Sequence, residues 1–289
     1  MKKILGLVLA VVMCIAVFAG CSSPAPAASE SAAPSESAAS ESVGAEATDA
    51  AAGSTVDKIK EAGQLVLLTN AQFPPYEYLG DDNKPAGVDI DIAQKIADEL
   101  GVELKVVDMD FDGLIPALNG GKGDFVAAGF TITEERKQSV DFSDPYATST
   151  QMVIVTKDDP KVAAATVEEL AGKTVGVQLG TTGDIFVTDE VEGATVKTYK
   201  SAIEAGMDLA NGRLDAVVVD QLPAQSIVAS NDTLMVYDEV LTTEQYAMAV
   251  KKGDTSLLEV INKVLGEMKG DIESITQTHF DAYANTPAA

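Results

Sequence analysis

The chain has 289 residues, of which 46% are hydrophobic, so it is long enough to bury a sizeable core in one or two domains. Its 45 acidic residues outnumber the 20 lysines and arginines, which gives a formal net charge of −25. Because this charge repels phosphate backbones and anionic lipid surfaces, nucleic acid is not an expected partner. The only histidine is His279 and the only cysteines are Cys14 and Cys21, so we expect no metal site, no cofactor and no Cys/His catalytic pair.

The first residues, 1–20, have the pattern of a signal peptide. Two lysines precede an apolar run over residues 4–19 that is short for a membrane span. The run ends in FAGC, which is similar to the lipobox of bacterial lipoproteins, with Phe18 where leucine is usual. The resemblance implies cleavage before Cys21 and acylation of that cysteine, whereas an ordinary cleaved signal is the alternative. Since Cys14 would leave with the signal, no disulfide is expected within the mature chain.

Residues 21–55 have the composition of a flexible, acidic tether. From Ser22 to Thr55 the sequence contains no lysine, arginine, aromatic residue, isoleucine or leucine. Such a segment cannot bury enough apolar surface to offset the entropy of ordering it. If Cys21 is acylated, the tether holds the folded part near a membrane and free to reorient. The predicted location is extracytoplasmic: the outer face of the plasma membrane, or the periplasm where an outer membrane exists.

Beyond residue 55 the chain alternates strand-like and helix-like segments. Short apolar runs that end in Gly, Asn or Asp are typical of buried parallel strands. These runs are QLVLLTN, VELKVVDM, GDFVAAGF, TVGVQLG, TVKTY and DAVVVD. Amphipathic helices are predicted between them at DIDIAQKIADELG, GLIPALNGGK and SAIEAGMDLANGR, and Gly101 is predicted to end the first of these. The pattern indicates an α/β fold with parallel sheets.

One structural unit occurs twice in the sequence. A helix, a glycine turn, an aspartate and a buried strand follow one another in DGLIPALNGGKGDFVAAG and again in SAIEAGMDLANGRLDAVVVD. Two similar α/β lobes would produce this echo, and a cleft between two lobes is a natural ligand site. Because such units are common in α/β proteins, the echo alone does not decide between one lobe and two.

Several motifs together carry a family resemblance from Val56 to the C-terminus. They are PPYEYLGDDNKPAGVDIDIAQKIADELG, FDGLIPALNGGKGDFVAAGFTITEERKQSVDFSDPY, VGVQLGTTGD and AVVVDQLPA. This order of motifs resembles the solute-binding proteins of polar amino-acid ABC transporters, family 3 of the bacterial extracellular solute-binding proteins. The resemblance implies a two-lobed periplasmic-binding-protein-like fold of type II, with two hinge crossings and the ligand closed between the lobes.

The resemblance also implies domain boundaries and partners. Lobe 1 is expected to comprise residues 56–147 and 244–289, and lobe 2 residues 148–243, with crossings near Ala147–Gln151 and Glu244–Val250. The expected partners are a free amino acid, the subunits of an ABC permease, and the membrane through the lipid anchor. A monomer is expected, since that is usual for this class.

The stretch AAGFTITEER places Arg136 in the first turn of a short helix, where the helix dipole favours acidic residues. An arginine fork can bind both oxygens of an α-carboxylate, and backbone N–H groups at a helix N-terminus add to the field. The resemblance assigns this role to Arg136, with Thr131 as a hydroxyl donor. It also assigns Thr181 and Thr182 of the GTTG loop to the same carboxylate from lobe 2. A surface ion pair between Arg136 and neighbouring carboxylates is the alternative.

Asp220 is the candidate partner of the ligand's α-ammonium group. It ends the strand DAVVVD, at the edge of the predicted sheet where ligands of open α/β sheets bind. The resemblance pairs this aspartate with the ammonium group and adds a main-chain carbonyl near Gly129. The alternative is that Asp220 caps a helix beginning at QLPAQS.

The predicted pocket for the ligand's side chain contains Phe73, Phe111, Asn70 and Gln178. The resemblance places the two phenylalanines on either side of the ligand, where aromatic faces hold an aliphatic stem or a planar group. Asn70 stands where relatives that bind basic amino acids commonly have an acidic residue. Together with the amide of Gln178, this favours a polar, uncharged amino acid, although Asp184 could still serve a cation.

Two other functions remain open on the same fold. Cyclohexadienyl dehydratases resemble these proteins, and such an enzyme would need a general acid in the cleft, for which Glu77 and Asp184 are the candidates. A sensory or adhesive lipoprotein would use the cleft to signal to a partner. The sequence shows no evident catalytic machinery, so we expect a binding protein.

Overall fold

The computed structural model describes residues 53–284. The predicted signal peptide, Cys21 and the predicted tether as far as residue 52 lie outside the described residues. The first helix begins at Thr55, slightly before the predicted end of the tether. Its start is fixed by a capping box, in which the Ser54 hydroxyl accepts the Asp57 N–H and the Asp57 carboxylate accepts the Ser54 N–H.

The helices and strands alternate along the chain. The helices are α1 Thr55–Ala62, α2 Val88–Leu100, α3 Leu114–Asn119, α4 Glu134–Lys137, α5 Val167–Leu170, α6 Thr182–Glu190, α7 Ala202–Ala210, α8 Gln221–Ala229, α9 Thr255–Met268 and α10 Ile272–Ala284. The strands are β1 Gln64–Thr69, β2 Gln72–Phe73, β3 Glu77–Leu79, β4 Pro85–Ala86, β5 Glu103–Asp108, β6 Phe125–Val126, β7 Val140–Phe142, β8 Ala147–Thr156, β9 Thr174–Gln178, β10 Thr195–Tyr199, β11 Ala216–Asp220, β12 Leu234–Val236, β13 Thr242–Tyr246 and β14 Ala249–Lys251.

The described strands form two large sheets and a small one. The first large sheet has the order β5-β1-β6-β14-β7, and the second has the order β10-β9-β11-β8-β12 with β13 also paired to β8. We call the parts built on these sheets lobe 1 and lobe 2. The prediction of parallel sheets is wrong in part, because β14 runs antiparallel to β6 and β7, and β8 runs antiparallel to β11 and β12. Strands β5 and β10 lie at sheet edges and are only partly buried, although buried strands were predicted.

The chain passes between the lobes at two adjacent places. It leaves β7 and enters the long strand β8, and it returns from β13 into β14. Strands β8 and β13 pair antiparallel, with Ala147 opposite Tyr246. Between the sheets, the Ser143 N–H donates to the Met248 carbonyl at 2.9 Å and the Met248 N–H donates to the Ser143 hydroxyl at 2.9 Å. The two crossings are therefore bonded to each other side by side, which suits a hinge of few residues.

The repeated sequence unit corresponds to a repeated structure. In lobe 1 the Asp124 carboxylate accepts the Val66 N–H of β1 at 2.7 Å, and in lobe 2 the Asp215 carboxylate accepts the Thr174 N–H of β9 at 2.8 Å. Each aspartate precedes the central strand of its sheet and ties that strand to its parallel neighbour. The echo in the sequence thus reflects the same helix, turn and strand used once in each lobe.

Helix α2 shows how local sequence fixes the packing of lobe 1. Its apolar residues Ile92, Ile96 and Leu100 recur at helical spacing and are buried against the same core as Ile261 of α9. Gly101 ends α2 in the left-handed conformation, with φ +72°, as predicted from the sequence. Among the described helices, none is both long enough and apolar enough to cross a bilayer.

Gly87, at the start of α2, provides a test of this packing. A Cβ atom at residue 87 would lie 2.2 Å from the Tyr76 carbonyl oxygen, and its φ of +129° is strained for any L side chain. We expect Gly87→Ala to lower the free energy of unfolding by about 3 kcal/mol or more in urea denaturation. Gly101→Ala is the matched control, since it has open space and should cost only about 1 kcal/mol. Equal losses in the two variants would contradict the prediction.

Candidate functional site

A small cavity lies between the lobes. It contains every residue that was predicted to contact the ligand, with the exception of Asn70. The walls are Phe73, Phe111, Ala128, Gly129, Thr131 and Arg136 from lobe 1, and Gln178, Thr181, Thr182 and Asp220 from lobe 2. Asn70 adjoins the cavity through a hydrogen bond that its side-chain oxygen accepts from Gln178 at 2.8 Å. The fold therefore brings the predicted residues to one place from segments more than a hundred positions apart.

Arg136 is a buried cation at this cavity, with 8% of its surface exposed. Its helix starts at the Thr133 cap, whose hydroxyl accepts the Arg136 N–H. The guanidinium donates from Nη1 to the Thr131 carbonyl at 2.8 Å and lies 4.2 Å over the Phe130 ring. Burial lowers the pKa of Arg136 to about 10, so it stays charged. No described carboxylate lies within ion-pair distance of Arg136, so the alternative role of Arg136 in a surface ion pair is wrong.

Glu244, which the sequence analysis used only to mark the return crossing, bonds to both lobes at the cavity. Its Oε2 atom accepts the Thr131 hydroxyl of lobe 1 and the Thr182 hydroxyl of lobe 2, each at 2.7 Å. A hydroxyl has one hydrogen to donate, so in this conformation neither threonine side chain can also donate to a ligand carboxylate. No pattern in EQYAMAV would have identified this role, because it depends on how the two lobes close.

Thr181 has a structural role at the start of α6. Its hydroxyl donates to the Gln178 carbonyl at 2.8 Å and accepts the Asp184 N–H, which makes it the helix cap. Its side chain therefore has no hydrogen left for a ligand carboxylate in this conformation. The first turn of α6 still points backbone N–H groups that have no partner within the helix toward this end of the cavity.

Asp220 is a buried carboxylate with 5% of its surface exposed. It accepts hydrogen bonds from the Gln151 amide at 2.8 Å and from the Tyr246 phenol at 2.5 Å. Although it occupies the capping position of α8, its side chain makes no capping bond. Burial, followed by the negative charge of Glu244, raises the pKa of Asp220 to about 7. Gln151 and Tyr246 were not predicted as site residues, because they lie in the two crossing strands and their roles appear only once these strands pair.

Gly129 forms the cavity wall next to Phe73. It has a φ of +50°, and a Cβ atom there would lie 2.6 Å from the Phe73 ring. Only glycine therefore fits this position without moving the ring. Its N–H donates to the Asp89 carboxylate at 2.9 Å, which holds the backbone of this wall against the start of α2.

The amides of Asn70 and Gln178 meet across the lobes. Gln178 Nε2 donates to Asn70 Oδ1 at 2.8 Å and to the Lys200 carbonyl at 2.9 Å, so both of its hydrogens are used. Asn70 Nδ2 in turn donates to the Met109 carbonyl at 2.8 Å. The oxygen of the Gln178 amide is the atom that it can offer to a ligand, and that atom accepts hydrogen bonds.

Further polar contacts between the lobes show that the cleft is closed. Arg136 Nη2 donates to the Gly180 carbonyl at 3.2 Å, and Lys200 pairs with Asp110 at 2.9 Å. The two acids considered for an enzymatic role do not line the cavity. Glu77 is fully buried behind it, and Asp184 accepts the Gly180 N–H at 3.0 Å. Neither acid is placed to protonate a molecule in the cleft.

The fold and the site correspond to a known family. Residues 65–282 match the model of the bacterial extracellular solute-binding proteins, family 3. The chain belongs to this family. Its two-lobed α/β structure is the type II periplasmic-binding fold, and the family consists of binding proteins rather than enzymes.

Individual relatives agree with this membership. An L-cystine-binding protein of Escherichia coli K12 is 35% identical over 78% of this chain and 86% of its own length. The arginine-bound form of truncated ArgBP from T. maritima is 48% identical, with a TM-score of 0.70, over 73% of this chain and 99% of that one. An ancestral amino acid-binding protein described as a precursor of cyclohexadienyl dehydratase is 37% identical, with a TM-score of 0.71, over 78% and 100%.

The relatives bear on the predicted ligand class. They support the binding of a polar amino acid for import by an ABC transporter. They do not support the expected preference for an uncharged one, since one of the relatives named here is an L-cystine-binding protein and another is an arginine-bound protein. Among the relatives named here, the link to cyclohexadienyl dehydratases is an ancestral amino acid-binding protein, which is described as a precursor of such an enzyme.

Glu244 generates a prediction about lobe closure. Glu244→Ala removes the acceptor that the Thr131 and Thr182 hydroxyls share across the lobes. We expect the ligand-free variant to open, with a larger radius of gyration in small-angle X-ray scattering. Thr243→Ala is the control, because Thr243 is the exposed neighbour of Glu244 and makes no such bridge. Identical scattering from Glu244→Ala and the native chain would contradict the prediction.

Proposed function

We propose that this protein is a lipid-anchored, extracytoplasmic receptor that binds a free α-amino acid between its lobes and delivers it to an ABC importer. The observation that carries the proposal is the pair of opposite charges at one closed cavity, Arg136 and Asp220. A free amino acid presents an α-carboxylate and an α-ammonium group a few bonds apart. The buried guanidinium complements the first and the buried carboxylate complements the second.

The proposed carboxylate site combines both lobes. Arg136 supplies the fork from lobe 1, and the N-terminus of α6, which Thr181 caps and Thr182 begins, supplies backbone N–H groups from lobe 2. For the Thr131 and Thr182 hydroxyls to join them, Glu244 must release those hydroxyls. Because one ligand group then contacts both lobes, its binding energy favours the closed state over the open one.

The side-chain end of the cavity favours a ligand that donates hydrogen bonds. Gln178 can only accept there, and Phe73 and Phe111 provide aromatic faces that suit a planar group. The guanidinium of L-arginine fits both features, and the arginine-bound relative supports it. L-Glutamine, with a planar amide, represents the uncharged ligand predicted from Asn70. L-Glutamate is disfavoured, because its carboxylate offers no donor.

The Arg136 role is tested by titration calorimetry on the purified, ligand-free chain. We expect L-arginine, and more weakly L-glutamine, to bind, and L-glutamate not to. Arg136→Ala should weaken the binding by about 100-fold or more, because it leaves the ligand carboxylate buried without its charged partner. Lys137→Ala is the matched control, since this exposed neighbour pairs with Glu134 and should change the affinity by about twofold or less. Full-strength binding by Arg136→Ala would refute the proposed carboxylate site.

Asp220 makes ligand binding depend on pH. The ligand-free carboxyl has a pKa of about 7, and a bound ammonium group favours its charged form. Below this pKa the carboxyl must lose its proton before it can pair, so binding releases a proton and weakens as the pH falls. Between about pH 8 and about pH 6 we expect roughly a tenfold loss of affinity. The neighbouring groups are Glu244, Tyr246, Gln151 and Ser149, of which Glu244 is the other carboxylate.

Calorimetry in two buffers of different ionisation enthalpy measures the released proton directly. Asp220→Asn removes the titrating group, so its weaker binding should be independent of pH in this range. Binding of the native chain with no proton release at about pH 6 would contradict the assignment.

The lipid anchor is a proposal from the sequence around Cys21. Acylation would hold the receptor at the membrane beside its permease. Cells fed a labelled fatty acid should incorporate it into the native chain and into Cys14→Ser, and not into Cys21→Ser, which should be recovered in the soluble fraction. Unchanged labelling of Cys21→Ser would exclude acylation at this residue.

A further inference from the structure

Two carboxyl groups, Glu77 and Asp89, are buried together behind the cavity. Neither residue has any exposed surface. Among the described residues, no lysine, arginine or histidine forms an ion pair with either of them. Apart from each other, the two Glu77 oxygens have no hydrogen-bond donor in reach. The proposed function uses neither carboxyl as a ligand contact.

The surroundings of the two groups differ. Asp89 is the second residue of α2, where the helix dipole favours a negative charge, and its Oδ2 atom accepts the Gly129 N–H at 2.9 Å. Glu77 lies on β3 and has no comparable donor. Two adjacent buried carboxyls cannot both be ionised without a large desolvation and repulsion cost. The proton should therefore remain on the member with the poorer environment.

We infer that Glu77 and Asp89 share one proton, with Glu77 as the neutral acid and Asp89 as the carboxylate, and that Asp89 is a positioning residue for the ammonium end of the cavity. The ammonium role rests on the proposed function. Asp89 holds Gly129, whose tight fit against Phe73 forms the cavity wall. It also places a negative charge next to the Gly129 backbone, in the wall of the cavity that Asp220 lines.

The directions in which the pKa values of Glu77 and Asp89 shift agree with this assignment. Burial, then the charge of Asp89, raises the pKa of Glu77 well above its ordinary value. Burial raises the pKa of Asp89 to about 6, and the nearby Tyr146 phenol and the hydrogen bond from the Gly129 N–H oppose that rise. The remaining carboxylates that act on Glu77 are Asp108 and Asp220. The phenol of Tyr76 senses Asp220, Asp89 and Glu77 together, so these acids belong to one buried region.

Infrared spectroscopy of the ligand-free chain tests the shared proton without any ligand. At about pH 8, exposed carboxyls are ionised, so a carboxylic acid carbonyl band reports a buried neutral acid. We expect this band in the native chain and in Asp220→Asn, and its loss in Glu77→Gln. Because the amide of Glu77→Gln imitates a neutral acid, its melting temperature should stay within about 4 °C of the native value. Absence of the band, its survival in Glu77→Gln, or failure of Glu77→Gln to fold would each overturn the inference.

Calorimetry with L-arginine tests the positioning role. Glu77→Gln keeps the negative charge on Asp89, so its affinity should change by about twofold or less, whereas Asp89→Asn removes that charge and should weaken binding by about tenfold. Equal affinities in the two variants would overturn the positioning role. If the native chain binds no amino acid, the proposed function fails, while the infrared result still decides the shared proton.

Discussion

The structure depends on a buried positive charge without a carboxylate beside it. The Arg136 guanidinium lies against two phenylalanine rings, and the protein atoms that accept its hydrogen bonds are main-chain carbonyls, Thr131 in lobe 1 and Gly180 in lobe 2. Burying a guanidinium in this way is costly unless an anion completes its shell. We therefore propose that these elements form a binding site for an anionic group. They are the helix start that carries Arg136, the loop that carries Gly180 and the hinge that joins them.

The hinge contributes side chains to this proposed site as well as joining the lobes. Strands β8 and β13 bring Gln151, Glu244 and Tyr246 to the cavity, and each of them bonds to a residue proposed to contact the ligand. A rotation at the crossings would therefore change the partners of Asp220, Thr131 and Thr182 together. This coupling gives a physical route by which closing the lobes assembles the binding site and opening them dismantles it.

Sequence reasoning predicted local structure well where the cause was local. Spacing and turn chemistry predicted the end of α2 at Gly101 and the repeated unit that contains Asp124 and Asp215. It failed where the cause was the pairing of distant segments. The antiparallel return strands and the bridge made by Glu244 depend on the hinge geometry. The hydroxyl of Thr131 was expected to donate to the ligand, but in this conformation it donates to the hinge carboxylate of Glu244.

The same contrast bears on the preference for an uncharged ligand that was inferred from Asn70. That inference assumed that the charge of the ligand depends on one acidic residue in contact with its side chain. In a closed cavity of low dielectric, however, charges behind the first layer of atoms also act, because little water screens them. The carboxyls of Asp220 and Glu244 act on Arg136, which is the buried cation among the described residues, and the carboxyl of Asp89 lies behind the Gly129 wall. Their sum is negative, and a zwitterion with a neutral side chain would leave it so. A ligand with an additional positive charge would bring the cavity closer to neutrality, which favours arginine over glutamine even though an amide occupies position 70.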